Sequence, residues 1–439
     1  MDLELVFVVV AAAIAGIVAW TVRGAQVRRE EEGKGKIDRD AAVAKGAQPP
    51  SLYPRINLEK CIGCGNCVRA CPELDVLAVI EAKAQVVNPG SCIGHGECAR
   101  ACPTDAIRLV IGTETRGVDI PVLKGDFETN VPGIYVVGEL GGMGLIYNAM
   151  TQGLMCARGI ARKPPAPIPG VHQLVIIGAG PAGLAAAVGA IESKLDFVVL
   201  DQESIGGTVL QYPRQKIVMT RPVELPLYGK IKVSSVKKED LLEIWKDLIA
   251  KTGLEVRTGV RVESVVPSAD GCFDVATSAG PLRAQRVILA LGRRGSPRKL
   301  GIPGEDLAKV TYRLLEPENY TGAKCLVVGG GDAAVEAAIA LGEAGAKVDL
   351  CHRGEQFDRI KKANQERLDA AGSTGKVTIR LKTKPLGIEP TRVHLDNGGT
   401  LDNDYVLVFA GGVLPSAFLA KAGVEVRTMK GEEHAPANL

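Results

Sequence analysis

The apolar positions of this chain gather in short runs, and the first run differs from the others. Leu5 to Val22 reads LVFVVVAAAIAGIVAWTV without a charge, and a helix of that length rises about 27 Å, close to the hydrocarbon thickness of a bilayer. A transmembrane helix is therefore predicted over residues 1–22. The later runs are short and stop at turns. Leu174-Val-Ile-Ile177 leads into a Gly-rich turn, an Ala-rich stretch and a second run, Phe197-Val-Val-Leu200. Leu326-Val-Val328 opens the same succession, which ends at Lys347-Val-Asp-Leu-Cys351, and Val287-Ile-Leu-Ala-Leu291 lies between the two. Strand, glycine turn, helix and strand in that order predict parallel α/β units.

The flanks of the first run orient it. Asp2 and Glu4 precede it and Arg23, Arg28 and Arg29 follow, so the positive flank is expected to stay in the cytoplasm with everything downstream. A cleaved signal peptide calls for a basic start and a small-residue cleavage site, and a buried helix for a polar face; the sequence offers neither. Residues 23–52, charged and rich in Gly and Ala up to Pro49-Pro50, are expected to form a solvated linker.

Composition narrows the classes further. With 53 basic and 50 acidic residues the net charge is +3, which implies no broad basic face for nucleic acid. The 52 glycines and 4% aromatic residues suit nucleotide-binding turns better than a base-stacking surface. Hydrophobic residues at 46% of 439 positions can fill the cores of two or three domains. Seven of the 11 cysteines fall between Cys61 and Cys102, a crowding that points to metal rather than structural disulfides.

Cys61-Ile-Gly-Cys64-Gly-Asn-Cys67-Val-Arg-Ala-Cys71-Pro72 has the spacing C-x2-C-x2-C-x3-C-P, in which three thiolates wrap one cubane and the fourth reaches another. Zinc is the alternative, but it usually takes two spaced pairs of ligands. Cys92-Ile-Gly-His95-Gly-Glu-Cys98-Ala-Arg-Ala-Cys102-Pro103 repeats the motif with His at the second ligand position. Together the halves resemble the bacterial two-cluster ferredoxins over residues 53–111. The resemblance implies that Cys61, Cys64, Cys67 and Cys102 hold one [4Fe–4S] cluster, and that Cys71, Cys92 and Cys98 hold three corners of a second. Three readings of His95 stay open: it completes a second [4Fe–4S] cluster and raises its potential, it leaves a [3Fe–4S] cluster, or it faces solvent beside a lost site.

The first α/β unit carries Gly178-Ala-Gly180-Pro181-Ala-Gly183, with Asp201 ending the second strand where a carboxylate accepts from a ribose hydroxyl. A pyrophosphate is expected on the helix N-terminus, and Gly206-Gly207 offers a further turn for close approach to a ligand. The second unit carries Gly329-Gly-Gly331-Asp332-Ala-Ala334, and His352-Arg353 follow its second strand with Arg359 nearby. Cations in place of an acid favour the 2′-phosphate of NADP over NAD, although His-Arg is also an ordinary solvated turn.

Two such units in one chain look like the thioredoxin-reductase-like flavoproteins. The resemblance implies FAD on the first unit (166–305) and NAD(P)H on the second (306–412), with 413–439 as return segment and tail. It reaches backward as well. Thr129-Asn-Val-Pro-Gly-Ile-Tyr-Val-Val-Gly138-Glu139, continuing to Asn148, resembles the strand and helix that normally end such proteins against FAD, with Glu where the family usually has Asp. Residues 112–165 are thus expected to be the terminal piece of a circularly permuted FAD domain; the alternative is a plain linker.

The redox-active C-x-x-C of thioredoxin reductases is missing before the second Gly-rich turn, where the chain reads Val310 to Thr321 without a cysteine. In this the chain is similar to the ferredoxin–NADP reductases of the superfamily. Cys156, Cys272, Cys325 and Cys351 have no near neighbour and read as buried hydrophobes.

The expected architecture is α/β: two Rossmann-like dinucleotide-binding domains, a small α+β ferredoxin-like two-cluster domain and one transmembrane helix. The expected activity is electron transfer between NAD(P)H and the clusters through FAD, with no acid–base or nucleophilic catalytic residue, onward to a ferredoxin-like or membrane partner. A nicotinamide gives two electrons at once and a cluster takes one; a flavin joins the two regimes. The alternatives are a low-molecular-weight disulfide reductase, a branch that Tyr212-Pro213 and Val218-Met-Thr220 resemble, and a non-enzymatic iron–sulfur sensor. A homodimer is expected by analogy with the family.

Overall fold

The uncharged run lies in a helix, α1 (Leu3–Ala44), which is far longer than the run itself. The computed structural model describes residues 3–44, 46–49, 52–73, 75–142, 144–212, 217–219, 222–231, 236–293, 297–358 and 360–433. Asp2, Pro50, Pro213, Thr220 and Arg359 lie outside the described residues. By length and composition α1 is apolar enough to cross a membrane, and the apolar window is not buried in the protein. The expectation of an unstructured linker from residue 23 is corrected, because the helix continues to Ala44. The stretch is rich in Ala, Glu, Lys and Arg, all good helix formers, and extending an existing helix needs no new nucleus. Glu32 and Lys36 pair one turn apart at 3.2 Å.

The chain divides into two compact units, Met1–Val110 and Ile111–Leu439. In the first, β1 (Leu52–Ile56), α2 (Asn66–Ala70), the hairpin of β2 (Leu77–Ile80) and β3 (Lys83–Val86), α3 (Glu97–Arg100) and β4 (Ile107–Ile111) follow in order. The sequence repeat is also a backbone repeat. Each short helix is preceded by two left-handed glycines, Gly63 and Gly65 in one half, Gly94 and Gly96 in the other. These turn the loop back on itself, a conformation that a side chain opposes.

The second unit holds two five-stranded parallel sheets. The first is built from β6 (Ile134–Val136), β7 (Leu174–Ile177), β8 (Phe197–Leu200), β9 (Val256–Arg257) and β10 (Val287–Leu289), in the spatial order β9-β8-β7-β10-β6. β10 pairs in parallel with β7 on one side and β6 on the other, Ile288 lying opposite both Ile176 and Tyr135. The strand expected to close a permuted domain therefore occupies the sheet edge. Helices α4 (Ile146–Ala161) and α5 (Pro181–Glu192) pack on one face around Met150, Leu184 and Ala186, all buried. Such all-apolar strands belong to sheets covered on both sides.

The second sheet contains β11 (Val310–Thr311), β12 (Lys324–Val328), β13 (Lys347–Cys351), β14 (Val377–Arg380) and β15 (Tyr405–Val408), ordered β11-β15-β12-β13-β14. Helix α6 (Lys238–Thr252) lies between β8 and β9 of the first sheet; in the second, α7 (Asp332–Glu343) follows β12, and α8 (Lys362–Ser373) precedes β14. After β15 the chain returns through α9 (Ser416–Lys421), whose Leu419 joins the core of the first sheet, to β16 (Val426–Met429). β16 pairs antiparallel with β5 (Val118–Pro121), the strand with which the second unit begins.

Glu305 closes the connection between the two sheets. Its carboxylate accepts the N–H groups of Leu300 (2.5 Å) and Gly301 (2.7 Å) and the Tyr312 hydroxyl (2.8 Å). Burial alone would raise its pKa, but those hydrogen bonds prevail and hold it below the ordinary value of 4.5. A depressed carboxylate stabilises the fold above its unfolded pKa and loses that contribution as pH falls through the folded one. The melting temperature of the wild type should accordingly fall below about pH 4.5, while Glu305→Gln should cost about 1–3 kcal/mol near neutrality and flatten that acid limb. An unchanged acid limb in the variant would contradict this role.

Candidate functional sites

In the first unit the cysteines surround two separate cavities, and the sorting crosses the sequence repeat. One is lined by Cys61, Cys64, Cys67 and Cys102, the other by Cys71, Cys92, Cys98 and His95. The fourth cysteine of each half thus serves the cavity of the other half. Among the described residues no three His, Cys, Asp or Glu groups converge as closely as a single ion would need. Backbone N–H groups point at the sulfurs: Ala84 donates to Cys61 Sγ and Ala106 to Cys102 Sγ, both at 3.3 Å. Donors of this kind offset the charge of a cluster. Thiolate sets facing a shared space, with N–H donors behind them, fit iron–sulfur clusters.

The two cavities differ in their electrostatics. Burial pushes Cys92 up to about 11 and Cys98 up to about 12, and it also raises Cys67 and Cys71. Burial acts on Cys102 as well, but hydrogen bonds to Thr104, Ala106 and Ile107 outweigh it and hold that thiol below its ordinary value. Loading iron must therefore expel protons, most of all at Cys92 and Cys98.

In the second unit a long cleft offers about 1520 Å³ of free space, open solvent at its mouth included. Gly178, Gly180 and Pro181 line it, and the N-terminus of α5 opens onto it. The three glycines divide the work that a pyrophosphate turn requires. Gly178 is left-handed, and a Cβ there would come within 2.5 Å of the Ala290 carbonyl oxygen. A Cβ on Gly180 would meet no protein atom within 4 Å. One on Gly183 would overlap the Gly178 carbonyl oxygen. Tight turn, open approach and helix packing are thus assigned to separate residues.

Asp201 lines the cleft, and its carboxylate accepts the Ala179 N–H at 2.7 Å and the Glu203 N–H at 2.8 Å. It ties the glycine turn to the end of β8, and Glu203 adds a second carboxylate to the lining. Gly206 donates its N–H to Ala179 O behind the cleft (2.9 Å), while Gly207 lines it against Gly180. Gly138 and Glu139 reach the same cleft from the segment ahead of the glycine turn. Asn148 is buried on α4 and is not among the lining residues. The polar contact on that helix comes one turn later, where Gln152 accepts the Gly138 N–H at 2.7 Å. A buried amide at i+4 was the signal for it. Arg293, next to Gly292, also lines the cleft and donates to Asp119 O at 2.5 Å. Burial lowers its pKa against the opposing pull of Glu139 and Asp119.

At the second glycine turn a Cβ on Gly329 would come within 2.7 Å of both the Ala334 methyl and the Phe409 carbonyl oxygen, whereas Gly331 is open. His352 packs against Gly330, and its ring stacks on Phe357 at 5.0 Å. Arg353 beside it is exposed. Asp332 is committed within the protein, accepting from Lys361 N–H (2.9 Å) and Asn364 Nδ2 (2.6 Å). The remaining cysteines, Cys156, Cys272, Cys325 and Cys351, are buried, and none of the 11 is in a disulfide.

Residues 175–436 match the model of the pyridine nucleotide-disulphide oxidoreductases. The chain belongs to that family. Residues 53–103 of this oxidoreductase match the 4Fe-4S dicluster domain, so a flavin-dependent pyridine nucleotide oxidoreductase carries an iron–sulfur domain in the same chain. It is 32% identical over 267 residues to the ferredoxin–NADP reductase of Ignicoccus hospitalis, covering 58% of this chain and 83% of that one. It is 25% identical over 263 residues to bacilliredoxin reductase Bdr of Bacillus subtilis, 58% and 81% covered. The solved bacillithiol disulfide reductase Bdr of Bacillus cereus shares the fold, with a TM-score of 0.53, 24% identity and coverage of 58% and 82%.

Steric room separates two glycine substitutions. Gly180→Ala should fold with an unchanged melting temperature but weaken FAD by about tenfold or more, its methyl pointing into the cleft. Gly183→Ala should lose about 1–3 kcal/mol of stability through overpacking. Flavin retention during gel filtration and thermal melts distinguish the two, and equal behaviour would contradict the division of roles.

Proposed function

We propose that this oxidoreductase is membrane-anchored and moves electrons between NADP(H) and two iron–sulfur clusters by way of FAD, with onward transfer to a ferredoxin-like or membrane redox partner. The observation that carries this reading is continuity of the chain. The segment that leaves the iron–sulfur domain becomes β5 and β6 and delivers Gly138 and Glu139 to the FAD cleft. The order of strands supports a circularly permuted FAD domain, in which 112–165 supplies the edge strand and α4.

Bound FAD would supply the exchange between hydride and single electrons, and the clusters the single-electron relay. The residues of this chain do the rest. The α5 N-terminus and Gly180 receive the pyrophosphate, Asp201 and Glu203 face the adenosine end, and Gln152 fixes the turn at Gly138. Gly331 opens the second turn to the nicotinamide nucleotide, with His352 and Arg353 as donors to a 2′-phosphate. Cys61, Cys64, Cys67 and Cys102 hold one [4Fe–4S] cluster. Cys71, Cys92 and Cys98 hold the second, and the lining position of His95 supports it as the fourth ligand.

Reduction of a small disulfide is the second reading, favoured by the similarity to bacilliredoxin reductase and by Tyr212 in the cleft lining. Mutation separates the two. In Cys61→Ser, NADPH should still bleach the flavin while cluster-dependent electron transfer falls by about a hundredfold or more; undiminished transfer would refute the cluster route. Anaerobic iron and flavin counts with EPR should report two clusters in the wild type. His95→Ala should then give a three-iron signal, and His95→Cys should restore a four-iron signal at lower potential. Spectra insensitive to both His95 changes would remove it from the ligand set.

A further inference from the structure

The charged half of α1 lies on the β2–β3 hairpin. Gly35 faces it so closely that a Cβ would come within 2.7 Å of the Ala78 methyl. The Glu32 carboxylate accepts the Glu81 N–H at 3.1 Å. Lys36 bridges Glu32 (3.2 Å) and Glu81 (3.3 Å), and Arg39 donates to Gln85 at 3.1 Å. In the apolar half Ile17 is 62% and Trp20 75% exposed.

The same hairpin supports the first cysteine loop. A Cβ on Gly63 would overlap the Ala82 carbonyl oxygen. Lys83 Nζ donates to Cys61 O at 2.7 Å, and the Ala84 N–H to Cys61 Sγ. The turn itself needs support, because Glu81 and Ala82 are both left-handed (φ 52° and 57°) without being glycine, a conformation that persists only when its surroundings impose it. Glu32 holds the turn from the helix side and the Gly63 loop closes on it from the other. Beside that loop Leu58, Ile62 and Cys64 are exposed.

We propose that α1 is a rigid strut, and that the edge formed by Leu58, Ile62 and Cys64 docks on the cytoplasmic face of a membrane-embedded redox protein. The proposal rests on the reading that Leu5–Val22 spans the membrane. From Val22 to Gly35 the helix rises about 20 Å, which fixes the height of the Cys61 loop above the bilayer, whereas a flexible linker would let it wander. A soluble carrier gains nothing from a fixed height, since it diffuses to any. A partner confined to the membrane gains an effective concentration that depends on the geometry being held.

The full-length protein, loaded with flavin and iron, is tested in phosphatidylcholine–phosphatidylglycerol nanodiscs and in native membrane vesicles. Trypsin should cut slowly between Arg28 and Arg39, and Gly35→Leu, a better helix former with a clashing side chain, should speed that cleavage by about tenfold. Glu32→Gln combined with Gln85→Ala, which removes the same contacts and leaves every tryptic site in place, provides the same comparison should Gly35→Leu fail to accumulate. NADPH oxidation coupled to native membrane vesicles should fall about fivefold in Gly35→Leu and in Leu58→Glu, with ferricyanide reduction unchanged in Gly35→Leu. Protease patterns that do not differ overturn the strut, and membrane-coupled rates that do not differ overturn the docking edge. Release of the wild type by alkaline carbonate overturns the membrane reading beneath both, and the protease comparison still reports whether the helix docks.

Discussion

A central strand in a parallel sheet has two rows of backbone groups to satisfy, and β10 meets that demand by pairing with β7 on one side and β6 on the other. The pairing with β6 is the contact on which the long cleft depends. It brings in a strand from upstream of the glycine turn, and with it Gly138 and Glu139, which line the cleft. Without β6 the sheet would end at β10, one row of whose backbone groups would go unpaired. The β5–β16 pair makes the same point at the other boundary, since it joins Val118–Pro121 near the start of the second unit to Val426–Met429 near its end.

The iron–sulfur domain depends on exchange between its halves. Each cavity takes its fourth cysteine from the opposite repeat, so neither half completes a site alone, and binding of metal is coupled to folding of the whole domain. The left-handed glycines before α2 and α3 make room for this by turning both loops inward. The cavities are not equivalent. One has Lys83 and Ala84 donating into the Cys61 loop. The other has His95 and two thiols, Cys92 and Cys98, that burial pushes up to about 11 and about 12.

Much of the candidate site was legible because its signals are local. Ligand spacing, the glycine turns and the missing thiol pair are read within a dozen residues, and steric demands at Gly178 and Gly183 explain why those two positions carry no side chain. Local signals failed where a distant contact decided the outcome. Residues 23–44 have the composition of a solvated tether, yet Gly35 against Ala78 and Glu32 against Glu81 hold them as docked helix. Asn148 matched the expected position on α4, but the amide that reaches Gly138 belongs to Gln152, because the rotation of the helix against its sheet is set by packing. Arg293 gave no motif, and its bond to the Asp119 carbonyl, 174 residues away in sequence, is visible only in the fold.

The sequence by itself determined the inventory: an uncharged span, two ligand repeats, two glycine turns with their flanking strands, and no paired thiols at the second turn. These follow from residue type and short-range spacing. The tertiary structure decided how the inventory is joined: which strand closes the first sheet, which cysteines share a cavity, and where α1 rests. Those depend on hydrogen-bond register and side-chain contact between segments far apart in the chain, and neither is encoded in any one stretch of it.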